Sequence, residues 1–198
     1  MPTIYLLHGD DDLGIATFVQ GMQDKMGDPT TADMNTTRLE GRGFSLGELE
    51  RAASAMPFLA SRRLVIVTRP ISQLRSQPDR KKFTDLLERL PATTALVLIE
   101  ETLKDDHWLV KWAKKAGERV FVKLHALPKG AALAQWIRTQ AKARGGDFTP
   151  EAANHLVMLV ADDNRMASSE IDKLLAYVNY KRLVEIDDVA LLTPSMET

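Results

Sequence analysis

The chain has no cysteine among its 198 residues. That excludes disulfides and thiolate metal sites, and it fits a reducing compartment, so a cytoplasmic location is expected. No apolar run approaches the ~20 residues that a bilayer-spanning helix needs, and no membrane partner is expected. The first residues lack the basic segment and apolar core of a secretory signal. A surplus of one charge is also missing. The net charge is −1, which supplies no global attraction to nucleic acid or anionic lipid. The four histidines, His8, His107, His125 and His155, show no metal-ligand spacing, and without thiols no metal site is expected. No nucleophile elbow or catalytic triad motif occurs. No aromatic interleaving with basic residues suggests a base-stacking platform.

What is present is ordinary for a globular chain: 44% hydrophobic and 27% charged residues, in a length sufficient for one or two domains with real cores. The most specific feature is Gly9-Asp10-Asp11-Asp12-Leu13-Gly14-Ile15-Ala16, directly after the apolar run Ile4-Tyr5-Leu6-Leu7. It keeps the glycine frame of a phosphate-binding loop, G-x-x-x-x-G-K-[ST]. Ile15 stands where the phosphate-reaching lysine belongs, and Ala16 where a hydroxyl would hold Mg²⁺. Asp10, Asp11 and Asp12 would repel a triphosphate. The alternative is a plain strand–turn–helix junction in which Gly9 turns the chain and an aspartate caps the helix. A nucleotide hydrolase also needs a carboxylate at the end of a neighbouring strand. The third strand ends Val67-Thr68-Arg69 without one, although the fourth ends Glu100-Glu101.

Five short runs are predicted as strands: Thr3–His8, Thr36–Glu40, Arg63–Arg69, Thr94–Glu100 and Arg119–Leu124. Leu64–Val67 and Ala95–Ile99 are apolar throughout rather than alternating, as in a parallel sheet covered on both faces. Thr36–Glu40 is shorter and polar and belongs near an edge. Helical patterns are predicted over Asp11–Met26, Ser45–Ala55, Asp79–Leu90 and Asp105–Ala116, with Ser45 and Glu48 at capping-box spacing. This alternation predicts a doubly wound α/β domain. After Leu124 the period changes. Pro128 is expected to open a helix to about Ala143. Thr149 should cap a second helix, a third should run from Met166 to Val178, and Asp187 should cap a short fourth. The expected division is residues 1–127, an α/β domain, and 128–198, a small helical domain. Thr193–Thr198 reads as a linker.

Two surface features could carry binding. In Ala55-Met56-Pro57-Phe58-Leu59-Ala60-Ser61-Arg62-Arg63, Pro57 disfavours helical geometry at Met56 and should end the preceding helix there. Phe58 and Leu59 then lie in a short connection, either as a plug for a pocket on another protein or as an inner cap on the end of the sheet. The basic residues Arg62-Arg63, Arg69, Arg75, Arg80-Lys81-Lys82, Lys111, Lys114 and Lys115 could meet a phosphate backbone or simply form solvated helix faces. Trp108 and Trp112 are expected to pack in the core.

Together these residues resemble the bacterial DNA polymerase III delta-subunit family, clamp-loader proteins of the AAA+ class. The resemblance is carried by Ile4-Tyr5-Leu6-Leu7-His8-Gly9-Asp10-Asp11, by Pro57-Phe58-Leu59-Ala60-Ser61-Arg62-Arg63-Leu64-Val65-Ile66-Val67, by Thr93-Thr94-Ala95-Leu96-Val97-Leu98, and by Ser169-Glu170-Ile171-Asp172-Lys173-Leu174 followed by Ile186-Asp187-Asp188-Val189. Order and spacing make the combination specific. It implies an AAA+ or P-loop-type five-stranded parallel sheet flanked by helices, then a small all-α domain of three to four helices. It implies a nucleotide site that is degenerate at Gly9, Gly14, Ile15 and Ala16 and binds no cofactor. It implies a sliding clamp, the beta subunit, bound through Met56, Phe58 and Leu59. Other clamp-loader subunits would be partners of the full-length protein, with DNA met through the assembled complex. No intrinsic catalysis is expected, although the whole belongs to a DNA-directed DNA polymerase holoenzyme. Members of such a family usually continue into a third, collar-forming helical domain, and the resemblance implies that this chain ends near where that domain should begin. A P-loop NTPase with a divergent site and a DNA-binding accessory module using Arg80-Lys81-Lys82 are the alternatives.

Overall fold

A computed structural model describes residues 2–41, 43, 45–160 and 163–193. The chain divides into two compact units, residues 1–126 and 127–198. The first unit runs β1 (Ile4–Gly9), α1 (Asp12–Gln23), α2 (Pro29–Met34), β2 (Thr36–Glu40), α3 (Leu46–Ser54), β3 (Arg63–Thr68), α4 (Gln77–Glu88), β4 (Thr94–Glu100), α5 (Trp108–Ala116) and β5 (Val120–His125).

The strands form one sheet in the order β2-β3-β4-β1-β5, and every neighbouring pair is parallel. The apolar runs in β3 and β4 are explained by burial on both faces. Val65 and Val67 join Leu49, Phe83, Leu87 and Leu109 from α3, α4 and α5. Their neighbours Leu64 and Ile66 join Ile15 and Val19 from α1 on the opposite face. Side chains alternate across a strand, so two hydrophobic layers require an unbroken apolar sequence. Polar β2 lies at one edge.

Helix starts follow capping chemistry. Ser45 Oγ accepts from Glu48 N–H at 3.2 Å, and Glu48 Oε2 accepts from Ser45 N–H at 2.7 Å, the reciprocal arrangement its spacing predicts. Several boundaries differ from the sequence expectation. The expected helix Asp11–Met26 stops at Gln23, passes into a 3-10 turn over Asp24–Met26, and is followed by the unanticipated α2. Asp28 caps α2 and Pro29 occupies its first turn, a start signal too short to show apolar periodicity. α4 begins at Gln77 rather than Asp79, because Ser76 is its cap and accepts from Asp79 N–H. α5 begins at Trp108 rather than Asp105, with His107 as cap.

The second unit contains α6 (Ala131–Ala143), α7 (Pro150–Val160), α8 (Asn164–Tyr177) and α9 (Ile186–Leu192) around Leu133, Ile137, Phe148, Leu156, Ile171 and Leu174. α6 does not open at Pro128. Its cap is Gly130 at φ 53°, a left-handed conformation that places the turn after the proline. Thr149 Oγ1 accepts from Ala152 N–H at 3.1 Å, the capping role expected of it. For α9 the cap is Glu185 rather than Asp187, and Asp188 accepts from the Glu185 N–H at 2.9 Å. Beyond Leu127 the only β pairing among the described residues is the bridge Phe148–Val184. The expected linker lies outside the described residues from Pro194 onward.

Candidate functional site

Two connections carry the candidate site residues, and they leave opposite edges of the parallel sheet. Gly9 ends β1 at the carboxyl edge. Phe58 and Leu59 precede β3 at the amino edge.

At the carboxyl edge only Asp10 and Asp11 separate β1 from α1. Helix α1 starts two residues before Gly14, so the open loop of a phosphate cradle is replaced by a tight junction. Four of its N–H groups are engaged within the chain. Asp11 N–H donates to His125 O at 3.0 Å, Asp12 N–H to Asp10 O at 3.1 Å, and Ile15 N–H to Asp11 O at 3.0 Å. Gly14 N–H donates to Asp11 Oδ1 at 2.8 Å. The chain's own carboxylate thus takes the anion position at the helix N-terminus. A Cβ at Gly9 would fall 1.9 Å from His125 O, and Gly9 has φ 137°, so only glycine fits this approach of β5 to the turn. Ile15 is buried against the sheet, and Ala16 is exposed.

Three titratable groups at this edge are buried: His8, Glu100 and His125. Glu100, at the end of β4, is buried and accepts from Ile71 N–H at 2.7 Å. Burial pushes its carboxyl up to about 7, the Ile71 hydrogen bond opposing the rise and neighbouring Glu101 adding to it. His8 lies beside Glu100 in the sheet register and accepts from Leu103 N–H at its Nδ1 at 3.2 Å. Burial lowers its pKa below the ordinary histidine value, opposed by Asp105. Burial likewise lowers His125, with Lys123 adding to the effect. Among the described residues, the Nε2 of His125 has no hydrogen-bond partner.

At the amino edge the structure turns apolar groups outward. Met56 is 84%, Phe58 56% and Leu59 83% exposed. The inner-cap alternative for Phe58 and Leu59 therefore does not hold. α3 ends at Ser54, just short of the Met56-Pro57 pair. Both ends of the connection are tied down. Arg63 donates to Ala52 O at 3.0 Å and to Thr37 Oγ1 at 2.9 Å. Arg62 donates to Pro2 O at 2.9 Å and Thr94 O at 3.1 Å. Between the ends, Leu59 adopts φ 52°, a conformation costly for a residue with a Cβ unless its surroundings impose it.

Those surroundings include a residue that sequence reasoning missed. Asn35, completely buried at the end of α2, accepts from Phe58 N–H at 2.7 Å and donates to Phe58 O at 2.7 Å. Met34, the next residue toward the N-terminus, is a further exposed apolar side chain. The only available signal was the Asp28-Pro29 helix start, which would have placed α2 and hence its C-terminus.

The basic clusters divide by role. Arg62 and Arg63 are structural ties. Lys81 pairs with Asp85 at 2.9 Å, Lys114 with Asp105 at 2.9 Å and Arg69 with Glu101 at 3.6 Å. Arg80 lies over the Trp108 ring at 5.3 Å and donates to Leu74 O. Trp108 and Trp112 pack against the core, as expected. A groove of about 580 Å³ runs beside β2, lined by Gln20, Gln23, Asp33, Thr36 and Arg38 among others. It includes none of the candidate site residues.

The model of the family described as DNA polymerase III, delta subunit, matches residues 5–123, the greater part of the chain. The chain belongs to this family. Within it, the DNA polymerase III subunit delta of Bacillus subtilis is 28% identical over 199 residues, covering 96% of this chain and 56% of the relative. A solved Bacillus subtilis DNA clamp loader delta protein has the same fold. It superposes with a TM-score of 0.73 at 23% identity, over 98% of this chain and 58% of that one. The Thermotoga maritima RuvB Holliday junction branch migration motor shares the fold more distantly, with a TM-score of 0.55 at 15% identity, over 96% of this chain and 60% of that one. The architecture is thus the AAA+-type five-stranded parallel sheet followed by a small helical part. The chain spans a little over half the length of its delta-subunit relatives.

Proposed function

We propose that this chain is the clamp-binding portion of a clamp-loader delta subunit in DNA replication. It docks on the ring-shaped sliding clamp through Met56, Phe58 and Leu59 and holds or opens the ring without hydrolysing ATP. One observation carries the reading: three large apolar side chains stand exposed on a connection whose backbone is tied in place. Such side chains suit a pocket on a partner, where buried apolar anchors supply most of the binding energy. Burying three of them contributes about 5–8 kcal/mol. That is comparable with the ~4–15 kcal/mol of freedom lost on association, so a connection ordered before binding favours a stable complex. Opening the ring requires that the open form be bound better than the closed form, and the shift is limited by that difference.

The carboxyl edge supports the second half of the reading. The cradle N–H groups of Asp11, Asp12, Gly14 and Ile15 already have acceptors, and Ile15 cannot supply a lysine charge. Control by ATP would come through neighbouring subunits, which are the expected partners along with the clamp. Contact with DNA would come through the assembled complex, in the cytoplasm. Calorimetric titration with the cognate clamp tests the assignment. Saturable binding that is lost on joint Phe58→Ala and Leu59→Ala substitution supports it. Unchanged affinity refutes the site. Micromolar binding of fluorescent ATP with Mg²⁺ would instead favour the NTPase alternative, and salt-dependent binding of duplex by the isolated chain the DNA-binding one.

A further inference from the structure

We propose that Asn35 is a positioning residue for docking: its buried carboxamide holds the Phe58 peptide so that Phe58 and Leu59 face outward before any partner arrives. The proposal rests on the docking reading above and adds the device that preorganises it.

A carboxamide offers an acceptor and a donor in one plane, which matches the N–H and C=O of a single peptide residue. Asn35 uses both arms on Phe58, each at 2.7 Å. The Asn35 side chain is itself anchored, since Nδ2 also donates to Thr31 O at 2.8 Å. Its backbone is fixed from two directions. The Asn35 N–H donates to Ala32 O at the end of α2, and Asn35 O accepts from Leu64 N–H of β3 at 2.9 Å. The grip therefore refers the connection to the helix on one side and the sheet on the other. Pro57, just before Phe58, has no N–H to contribute, and Leu59, just after it, sits at φ 52°. A segment with these constraints gains its order from the Asn35 bonds. Released from them, its apolar side chains would sample conformations in which they fold back on the surface, and ordering them again would weaken binding.

Two measurements test this. The first needs no variant. Amide exchange of the wild-type chain should show the Phe58 N–H protected by ~100-fold or more relative to an unstructured peptide, despite its exposed side chain. Exchange of Phe58 at the unstructured rate overturns the grip. The second is a cycle of Asn35→Ala and Phe58→Ala, titrated against the cognate clamp, with protection of the β3 amides confirming that each variant is folded. Asn35→Ala should weaken binding by ~10-fold or more in the wild-type background and by less than about threefold when Phe58 is already alanine. Equal losses in both backgrounds overturn the positioning role. If Phe58→Ala leaves affinity unchanged while the Phe58 amide stays protected, the docking reading fails and the grip alone stands.

Discussion

The two edges of the sheet handle their exposed backbone in opposite ways. At the carboxyl edge, where open α/β sheets ordinarily receive ligands, the junction after β1 is polar in sequence and closed in structure. The Asp11 carboxylate occupies the helix N-terminus, and His125 O takes the Asp11 N–H. At the amino edge, the connection before β3 is apolar in sequence and open in structure. There the backbone is held by Asn35, Arg62 and Arg63 while Met56, Phe58 and Leu59 face solvent. The fold is shared with a branch migration motor, and here the exposed apolar side chains stand at the other end of the strands from the closed junction.

Four variants bear on this contrast. The largest effect is expected from Phe58→Ala with Leu59→Ala, which should lower clamp affinity by ~100-fold or more. Because both side chains are exposed, the thermal midpoint should stay within a degree or two, about 0.5 kcal/mol. A large fall in the midpoint would make these residues part of the core and erase the contrast.

Ile15→Lys with Ala16→Thr would restore the motif by name. Ile15 is 4% exposed within an apolar cluster, so burying an ammonium there should cost ~3 kcal/mol or more in urea unfolding. Nucleotide binding should not appear, because the cradle N–H groups remain occupied. Gain of tight ATP binding would show the carboxyl edge to be latent rather than closed.

Glu100→Gln probes the same edge by pH. The Glu100 carboxyl titrates near 7 in the fold against an ordinary 4.5. As pH rises through that window the unfolded chain loses its proton first, so stability present below 4.5 is lost progressively up to about 7. The loss is on the order of 3 kcal/mol. Glu100→Gln should flatten this slope and leave the variant more stable than wild type above neutrality. A slope that survives the substitution would assign it to other groups. The smallest effect is expected from Asp11→Ala, which removes a helix cap at about 1 kcal/mol. An increase in phosphate affinity for that variant would sharpen the account of why the junction is closed.

Much of this was legible in the residues. The unbroken apolar runs of β3 and β4 required a sheet covered on both faces, and the polarity of Thr36–Glu40 marked an edge. Pro57 marked the end of α3 because its effect on the preceding residue is local. Ile15 and Ala16 revealed the missing phosphate chemistry by identity alone. The starts of α4, α5 and α9 were misplaced because Ser76, His107 and Glu185 cap them outside the apolar pattern. α2 was missed because its six residues are too few to display a period.

By itself, then, the sequence determined the parallel sheet, the helical second unit and the absence of a lysine and hydroxyl at Ile15 and Ala16. These follow from period, steric restriction at proline and side-chain identity, all of which act within a few residues. Whether Phe58 and Leu59 face inward or outward was decided only in the tertiary structure. So was the grip of Asn35 on a peptide 23 residues away, and the capture of the Asp11 N–H by the last residue of β5. Exposure and hydrogen-bond partnership depend on what distant segments bring to the same place, and no local pattern records that.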